Sequence, residues 1–261
     1  MGQVVWQSGD AYEAYVGRWS RRVAEVFVSW LDVAPARRWL DVGCGTGALT
    51  ARIGAVAEPL RLLGVDPSAG FLTTAKKALG DLPQLSAGDA TALPLADGSF
   101  DAVVSGLALN FVGRPEVAVR EFARVAAPGG VVAAYVWDYA AGMEMMRHFW
   151  AAAADLDPAA APLAENLRFP LCRDDALAEL WTAAGLRAVA THRIVIPTVF
   201  TDFDDYWQPF LGGQGPAPGY VATRSGPDRD ALRDLLRARL PVRADGAIAL
   251  TAAAWAVRGT A

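Results

Sequence analysis

The sequence predicts an α/β protein built on a doubly wound, mostly parallel sheet. Three observations lead there. Short apolar runs at 37–42, 60–65, 84–87, 100–105 and 131–137 are nearly continuous rather than alternating, as strands covered on both faces should be. Segments of helical character separate them. The first run leads directly into a glycine-rich turn, Gly43-Cys44-Gly45-Thr46-Gly47, and then into a helical segment. Right-handed crossovers between parallel strands wind helices onto both faces of such a sheet. Ligands then sit beyond the carboxyl ends of the strands, near the switch in strand order.

Each element has a local reason. Asp10 to Leu31 reads as a helix whose Val23, Phe27 and Trp30 form one apolar stripe. Arg37 to Val42 is the first strand, and Leu49 to Val56 continues the helix after the glycine turn. Leu60 to Val65 is the second strand. Ser68 then suits the N-cap of a helix through Leu79. Gln84 to Ala87 and Phe100 to Ser105 are the third and fourth strands. Pro115 suits the first position of a helix to Val125, which Pro128-Gly129-Gly130 should end. Val131 to Trp137 is the fifth strand. Beyond it, Ala141 to Leu156 and Asp174 to Ala184 read as helices, and Leu186 to Ile196 and Ile248 to Val257 as late strands. The alanine-rich tract 151–164 reads as helix and turn. Between the late strands lies an insertion, 201–246, with a Gly/Pro stretch at 212–219 that reads as loop and a helix from Asp228 to Leu240.

Composition narrows the function classes. The chain has 261 residues, 53% of them hydrophobic, which suffices for the core of one domain. A net charge of −4, with Lys and Arg dispersed, argues against a nucleic-acid groove. No apolar run reaches the roughly 18 residues needed to span a bilayer, and the N-terminus lacks a basic, apolar leader pattern. Cys44 and Cys172 form neither a disulfide framework nor a metal spacing. The expectation is a cytoplasmic, metal-free protein, as monomer or homodimer.

The glycine turn is a cofactor signal of open identity. Gly43, Gly45 and Ala48 satisfy the dinucleotide pattern G-x-G-x-x-G/A, with Asp66 about twenty residues on. Three more features stand in order around it: Asp41 before the glycines, Gly64-Val-Asp-Pro-Ser68, and Gly88-Asp-Ala-Thr-Ala-Leu-Pro94 followed by 97–105. This ordered set resembles the class I S-adenosylmethionine-dependent methyltransferases, in particular the small-molecule branch similar to ubiquinone and menaquinone biosynthesis methyltransferases. The resemblance is close over about Trp39 to Tyr139 and looser elsewhere. It implies a Rossmann-like, seven-stranded sheet with an antiparallel pair at one edge. It also implies one methyltransferase domain over 1–261, with a helical lid at 1–35, a cofactor-binding core at 36–138 and an acceptor side at 139–261.

The resemblance assigns site residues. Gly43, Gly45 and Gly47 would let the backbone approach the methionine portion and ribose of S-adenosylmethionine. Asp41 would face the amino end of the methionine portion, Asp66 the ribose hydroxyls, Pro67 and Ser68 the adenine, and Asp89 with the Ala90 N–H the adenine amine. Leu107 would close over the cofactor. Tyr15 and Arg18, on a segment crowded with Tyr12 and Trp19, would meet the methionine carboxylate or the sulfonium. The acceptor pocket would be lined by Phe111, Trp137, Tyr139, Trp207, Phe210 and Tyr220. Many relatives carry a histidine after the fourth strand. Here Asn110 stands in that segment, able to orient an acceptor, and His148 is the better-placed of the two histidines as a base.

Competing readings attach to the same residues. An NAD(P)-dependent oxidoreductase would satisfy the glycine spacing, but no Tyr-x-x-x-Lys pairing accompanies it. A non-catalytic cofactor-binding protein on the same fold is the second alternative. Asp101 reads as ordering a strand entry, Cys44 as a small buried side chain, and His192 as a core or surface residue.

Overall fold

The computed structural model describes residues 13–81, 83–212 and 215–261. Tyr12 and the predicted helix start at Asp10 lie outside them. The chain divides into two compact units. The sheet unit comprises Ser20–Trp137, Leu171–Ile194 and Ala254–Ala261. The helical unit comprises the residues through Trp19, Asp138–Pro170 and Val195–Ala253.

Seven strands form one sheet: β1 (Arg38–Val42), β2 (Arg61–Asp66), β3 (Gln84–Ala87), β4 (Phe100–Gly106), β5 (Ala126–Trp137), β6 (Arg187–Phe200) and β7 (Ile248–Thr260). Their order is β3-β2-β1-β4-β5-β7-β6. The first five pair in parallel, and β7 runs antiparallel to β5, from Val131 opposite Thr260 to Trp137 opposite Ala254. This is the doubly wound sheet with an antiparallel edge that the sequence predicts. The strand order reverses between β1 and β4, which is where a ligand belongs in such a sheet.

Burial explains the strand sequences. Trp39, Leu40, Ala102, Val103, Val104 and Val132 through Val136 are buried, as expected for strands covered on both faces. The helix Pro115–Val125 starts on proline and buries Ala118, Val119, Phe122 and Val125. Ser68 caps the helix Ala69–Leu79, its hydroxyl accepting from the Phe71 N–H at 3.3 Å. Trp181, on the helix Asp174–Ala183, donates its indole N–H to the Val132 carbonyl at 2.9 Å. Asp101 accepts from the Arg38 backbone N–H at 2.9 Å and from its guanidinium at 2.7 Å, which orders the entries of β1 and β4 as expected.

Several expectations need correction. The helix Arg18–Leu31 buries Val23, Ala24, Phe27, Val28 and Leu31, while Trp30 stands half-exposed off that stripe. Trp30 instead stacks on His192 at 5.5 Å, with the Arg258 guanidinium 4.9 Å from its ring. Ahead of that helix, Glu13–Gly17 is a wide π-type turn rather than regular helix. Pro128-Gly129-Gly130 does not terminate a helix. The helix has already ended at Val125, and the triplet makes an irregularity inside β5 where the register with β4 shifts between Phe100 and Ala102. There the Gly130 backbone passes so close that a Cβ would lie 2.8 Å from the Ala127 carbonyl oxygen. Both late strands run past their predicted ends, to Phe200 and Thr260.

The helical unit holds Glu144–Leu156, Phe203–Trp207, Pro216–Ala222, Gly226–Arg239 and shorter turns. Part of the predicted Gly/Pro loop is therefore helix. Pro216 and Pro218 fall in its first turn, where their missing N–H groups cost nothing. The core is aromatic. Phe149 and Phe210 stack at 4.5 Å, Tyr15 meets Phe210 edge-on at 5.6 Å, and the Tyr206 hydroxyl donates to the Met145 carbonyl at 2.9 Å. No helix among the described residues is long and apolar enough to cross a membrane.

Candidate active site

The carboxyl ends of β1 and β2 carry the densest chemistry in the sheet unit. Asp41 lies in β1 and Asp66 ends β2, with Val42 opposite Val65 in the parallel register. The glycine turn follows at once. The N–H groups of Gly43 and Cys44 both donate to the Val65 carbonyl, at 2.7 and 3.1 Å. Gly43 has φ +74°, and a Cβ there would lie 2.5 Å from the Ala108 Cβ, so only glycine fits. Gly45 has φ +55° and faces open space. Gly47 caps the helix Ala48–Val56.

Asp66 is clasped by this turn. Its Oδ2 accepts from the Gly45 N–H at 2.9 Å and its Oδ1 from the Ser68 N–H at 2.8 Å. Each carboxylate oxygen keeps a second acceptor site. Asp41 is fully buried, and its Oδ2 accepts from the Thr50 hydroxyl at 2.6 Å. Its Oδ1 is buried and has no partner among the described residues. Burial, with the nearby Asp66 charge, pushes the Asp41 carboxyl up to about 7 against the downward pull of the Thr50 hydrogen bond. Burial also raises Asp66. Cys44 is buried beside both carboxylates, its thiol pushed far up, which fits the inert small side chain expected.

The neighbouring strand ends add to this edge. Ala87 lies opposite Asp66, and the Gly88 N–H donates to the Asp66 carbonyl at 3.3 Å, so β3 delivers Asp89 and Ala90 just beyond. Asp89 is exposed, its Oδ1 accepting from the Thr91 N–H and hydroxyl, both at 2.8 Å. Past β4, Leu107 is buried with φ +57°, a strained conformation for a branched side chain, held by its N–H to the Tyr135 carbonyl at 2.8 Å. Asn110 follows on a tight turn, its Nδ2 buried and without a partner among the described residues. Phe111 is 40% exposed. Trp137, at the end of β5, is buried, its indole N–H without a partner among the described residues.

The remaining predicted residues belong to the helical unit. Tyr15 is buried, and burial, with Glu165 next, raises its hydroxyl well above the ordinary value. Arg18 pairs with Asp205 at 2.6 Å and lies over the rings of Trp19 and Phe200. Trp207, Phe210 and Tyr220 are buried in the aromatic core, with Phe210 at its centre. Tyr139 and His148 share a cleft of about 380 Å3 with Trp150 and Glu165. Burial holds the His148 imidazole below its ordinary value. Two residues escaped the sequence reading. Thr50 carries no motif of its own, and Glu165 sits in a four-residue helix too short to show a period. Among the described residues no group of His, Cys, Asp and Glu is placed to hold a metal.

Comparison with known proteins says what this strand–glycine–helix edge is similar to. Residues 40–134 match the family described as a methyltransferase domain. This segment is similar to a methyltransferase domain, and the match covers a little over a third of the chain. It takes in the glycine turn, Asp41, Asp66, Asp89 and Leu107. A demethylmenaquinone methyltransferase of Renibacterium salmoninarum is 40% identical over 113 residues, 43% of this chain and 45% of that protein. The match thus spans less than half the length of that relative. Among solved structures, a putative methyltransferase from Bacillus halodurans superposes with TM-score 0.59 at 12% identity, over 91% of this chain and 97% of that one. A phosphoethanolamine N-methyltransferase of Haemonchus contortus, in complex with phosphomonomethylethanolamine and S-adenosylhomocysteine, gives TM-score 0.58 at 15% identity, over 96% of this chain and 56% of that one. At these identities the likeness is one of fold. The family match and the likeness of fold therefore point the same way.

Proposed function

We propose that the chain transfers a methyl group from S-adenosylmethionine to a small apolar or aromatic molecule. The observation that carries this is Asp41, a fully buried carboxyl with a free lone-pair oxygen, Oδ1, one residue ahead of the glycine turn. A dinucleotide would set its pyrophosphate at this helix start, where the buried Asp41 carboxyl offers it no donor unless protonated. Asp66 stands where the ribose of either cofactor would lie and does not discriminate. S-adenosylmethionine has no phosphate and carries an ammonium and a ribose diol, both donors to carboxylate oxygens.

In this reading Asp41 Oδ1 accepts from the amino group, and the second acceptor sites of Asp66 take the ribose hydroxyls. Pro67, Ser68, Asp89 and Ala90 border the adenine. Gly43, Gly45 and Gly47 keep side chains off the cofactor, and Leu107 covers it. The sulfonium supplies an already activated methyl group. The chain's own task is to hold the acceptor in line and to keep water out. Asn110 Nδ2, buried and without a partner among the described residues, supports a role in orienting an acceptor. The chain acts away from a membrane span and from nucleic acid, in the cytoplasm.

The test is calorimetric titration of S-adenosylmethionine, S-adenosylhomocysteine and NADH, repeated with Asp66→Ala. S-adenosyl binding that is lost on the substitution, with NADH silent, is the expected result. NADH binding without an S-adenosyl signal would overturn the reading and point to hydride chemistry.

A further inference from the structure

The cleft of the helical unit holds a second buried carboxyl. Glu165 is 2% exposed and lines this cleft of about 380 Å3 with Tyr139, Met146, His148 and Trp150. Its Oε2 accepts from the Trp150 indole N–H. Its Oε1 is buried and has no partner among the described residues. A buried carboxyl oxygen with nothing donating to it costs free energy, so such an atom points to a missing donor. Burial pushes the Glu165 carboxyl up to about 7.

The surroundings say what kind of donor fits. Tyr139 and Trp150 supply ring walls and Met146 an adaptable apolar one. His148, half-buried and held neutral, adds a second acceptor. Arg147 and Glu144 line the cleft with opposite charges, so its wall favours neither sign, and the ring walls suit a neutral aromatic body. A hydroxyl on that body is the neutral donor the carboxyl oxygen calls for. The volume lies at the small end of ligand pockets. We propose that this cleft binds a small aromatic molecule bearing a hydroxyl group, whose O–H donates to Glu165 Oε1. The cleft belongs wholly to the helical unit, whereas Asp41 and Asp66 belong to the sheet unit. This site and the cofactor reading can therefore fail separately.

The test is ligand-observed saturation-transfer NMR with 4-hydroxyacetophenone and acetophenone as matched probes. Wild type is compared with Glu165→Gln and Glu165→Leu, and near-UV circular dichroism checks each fold. Wild type should bind the hydroxylated probe about fivefold more tightly, the size expected of one buried hydrogen bond. Glu165→Leu should bind both probes alike, and Glu165→Gln, which keeps a carbonyl acceptor, should retain part of the preference. Equal affinities in wild type, binding of neither probe, or an unchanged preference in a folded variant would each overturn the proposal.

Discussion

The Thr50 hydroxyl donates to Asp41 Oδ2 at 2.6 Å, joining the first turn of the helix after the glycine loop to the strand before it. Both residues are buried, so water cannot replace this bond at Asp41 Oδ2. Thr50→Val keeps the shape and removes the donor. Leaving a buried acceptor unpaired costs about 1–3 kcal/mol, so urea unfolding should show that loss, whereas Thr50→Ser should recover most of it. An unchanged midpoint in Thr50→Val would show the bond carries no net stability.

The same carboxyl makes stability depend on pH. Folded Asp41 and Glu165 titrate at about 7, well above their ordinary values, and Asp66 is shifted in the same direction. Between about pH 4 and 7 the folded chain therefore holds protons that the unfolded chain has released. Their contribution to stability is full below the unfolded values and falls as pH rises, by up to about 1.4 kcal/mol per pH unit for each group. His148, lowered by burial, works the other way, since its unfolded form binds the proton more readily. Asp41→Asn isolates the carboxyl. Its unfolding free energy should fall less between pH 5 and pH 7.5 than that of wild type, and identical slopes would exclude Asp41 as the source. A cofactor ammonium would favour ionised Asp41, so binding at pH 6 should release a proton, read by calorimetry in buffers of different ionisation enthalpy.

Legibility from sequence followed the physics of each segment. Strands β1, β2, β4 and β5 from Val131 onward were readable because burial on both faces makes their apolar runs continuous, whereas β3 is a mostly exposed edge strand, Gln-Leu-Ser-Ala, placed by its position in the alternation. Ser68 and Pro115 marked helix starts by local chemistry alone. Trp30 was misplaced because a stripe at spacings of three and four cannot distinguish a core position from one flanked by His192 and Arg258, which come from remote sequence. Pro128-Gly129-Gly130 was misread because the residues that end a helix also make an irregularity in a strand. Pro216 suffered the same ambiguity, since proline favours loops and first helical turns alike. Asp41 could be placed beside the turn, but its unpartnered oxygen and its bond to Thr50 exist only in three dimensions. Glu165 gave no signal at all, because its neighbours Trp150 and Tyr139 are brought to it by folding.

The glycine turn separates packing from binding. Gly43→Ala would set a methyl 2.5 Å from the Ala108 Cβ at φ +74°, so overpacking and backbone strain combine. A loss of about 2 kcal/mol or more is expected, with a matching fall in Tm. Gly45→Ala meets nothing within 4 Å, and its φ of +55° costs about 1 kcal/mol. Its methyl projects into the open side of the turn. The expected outcome is a folded protein whose S-adenosylhomocysteine affinity drops at least about tenfold, a loss of about 1.4 kcal/mol. Wild-type affinity in Gly45→Ala would mean the turn does not form the cofactor's surface.

Phe210 decides whether the late insertion serves as core or as acceptor wall. The ring is fully buried, stacked on Phe149 at 4.5 Å and flanked by Tyr15, Tyr206 and Trp207 at 5.4 to 6.0 Å. A side chain in that position contributes through packing, and removing it leaves a cavity. Phe210→Ala should therefore destabilise the protein by about 3–5 kcal/mol. Phe210→Leu, which keeps much of the volume, should cost clearly less. If Phe210 also lined an acceptor pocket, Phe210→Leu would raise the KM for an acceptor while leaving the unfolding midpoint near wild type. A core role predicts the reverse, a lowered midpoint with KM unchanged, and measuring both quantities on that one variant separates the two.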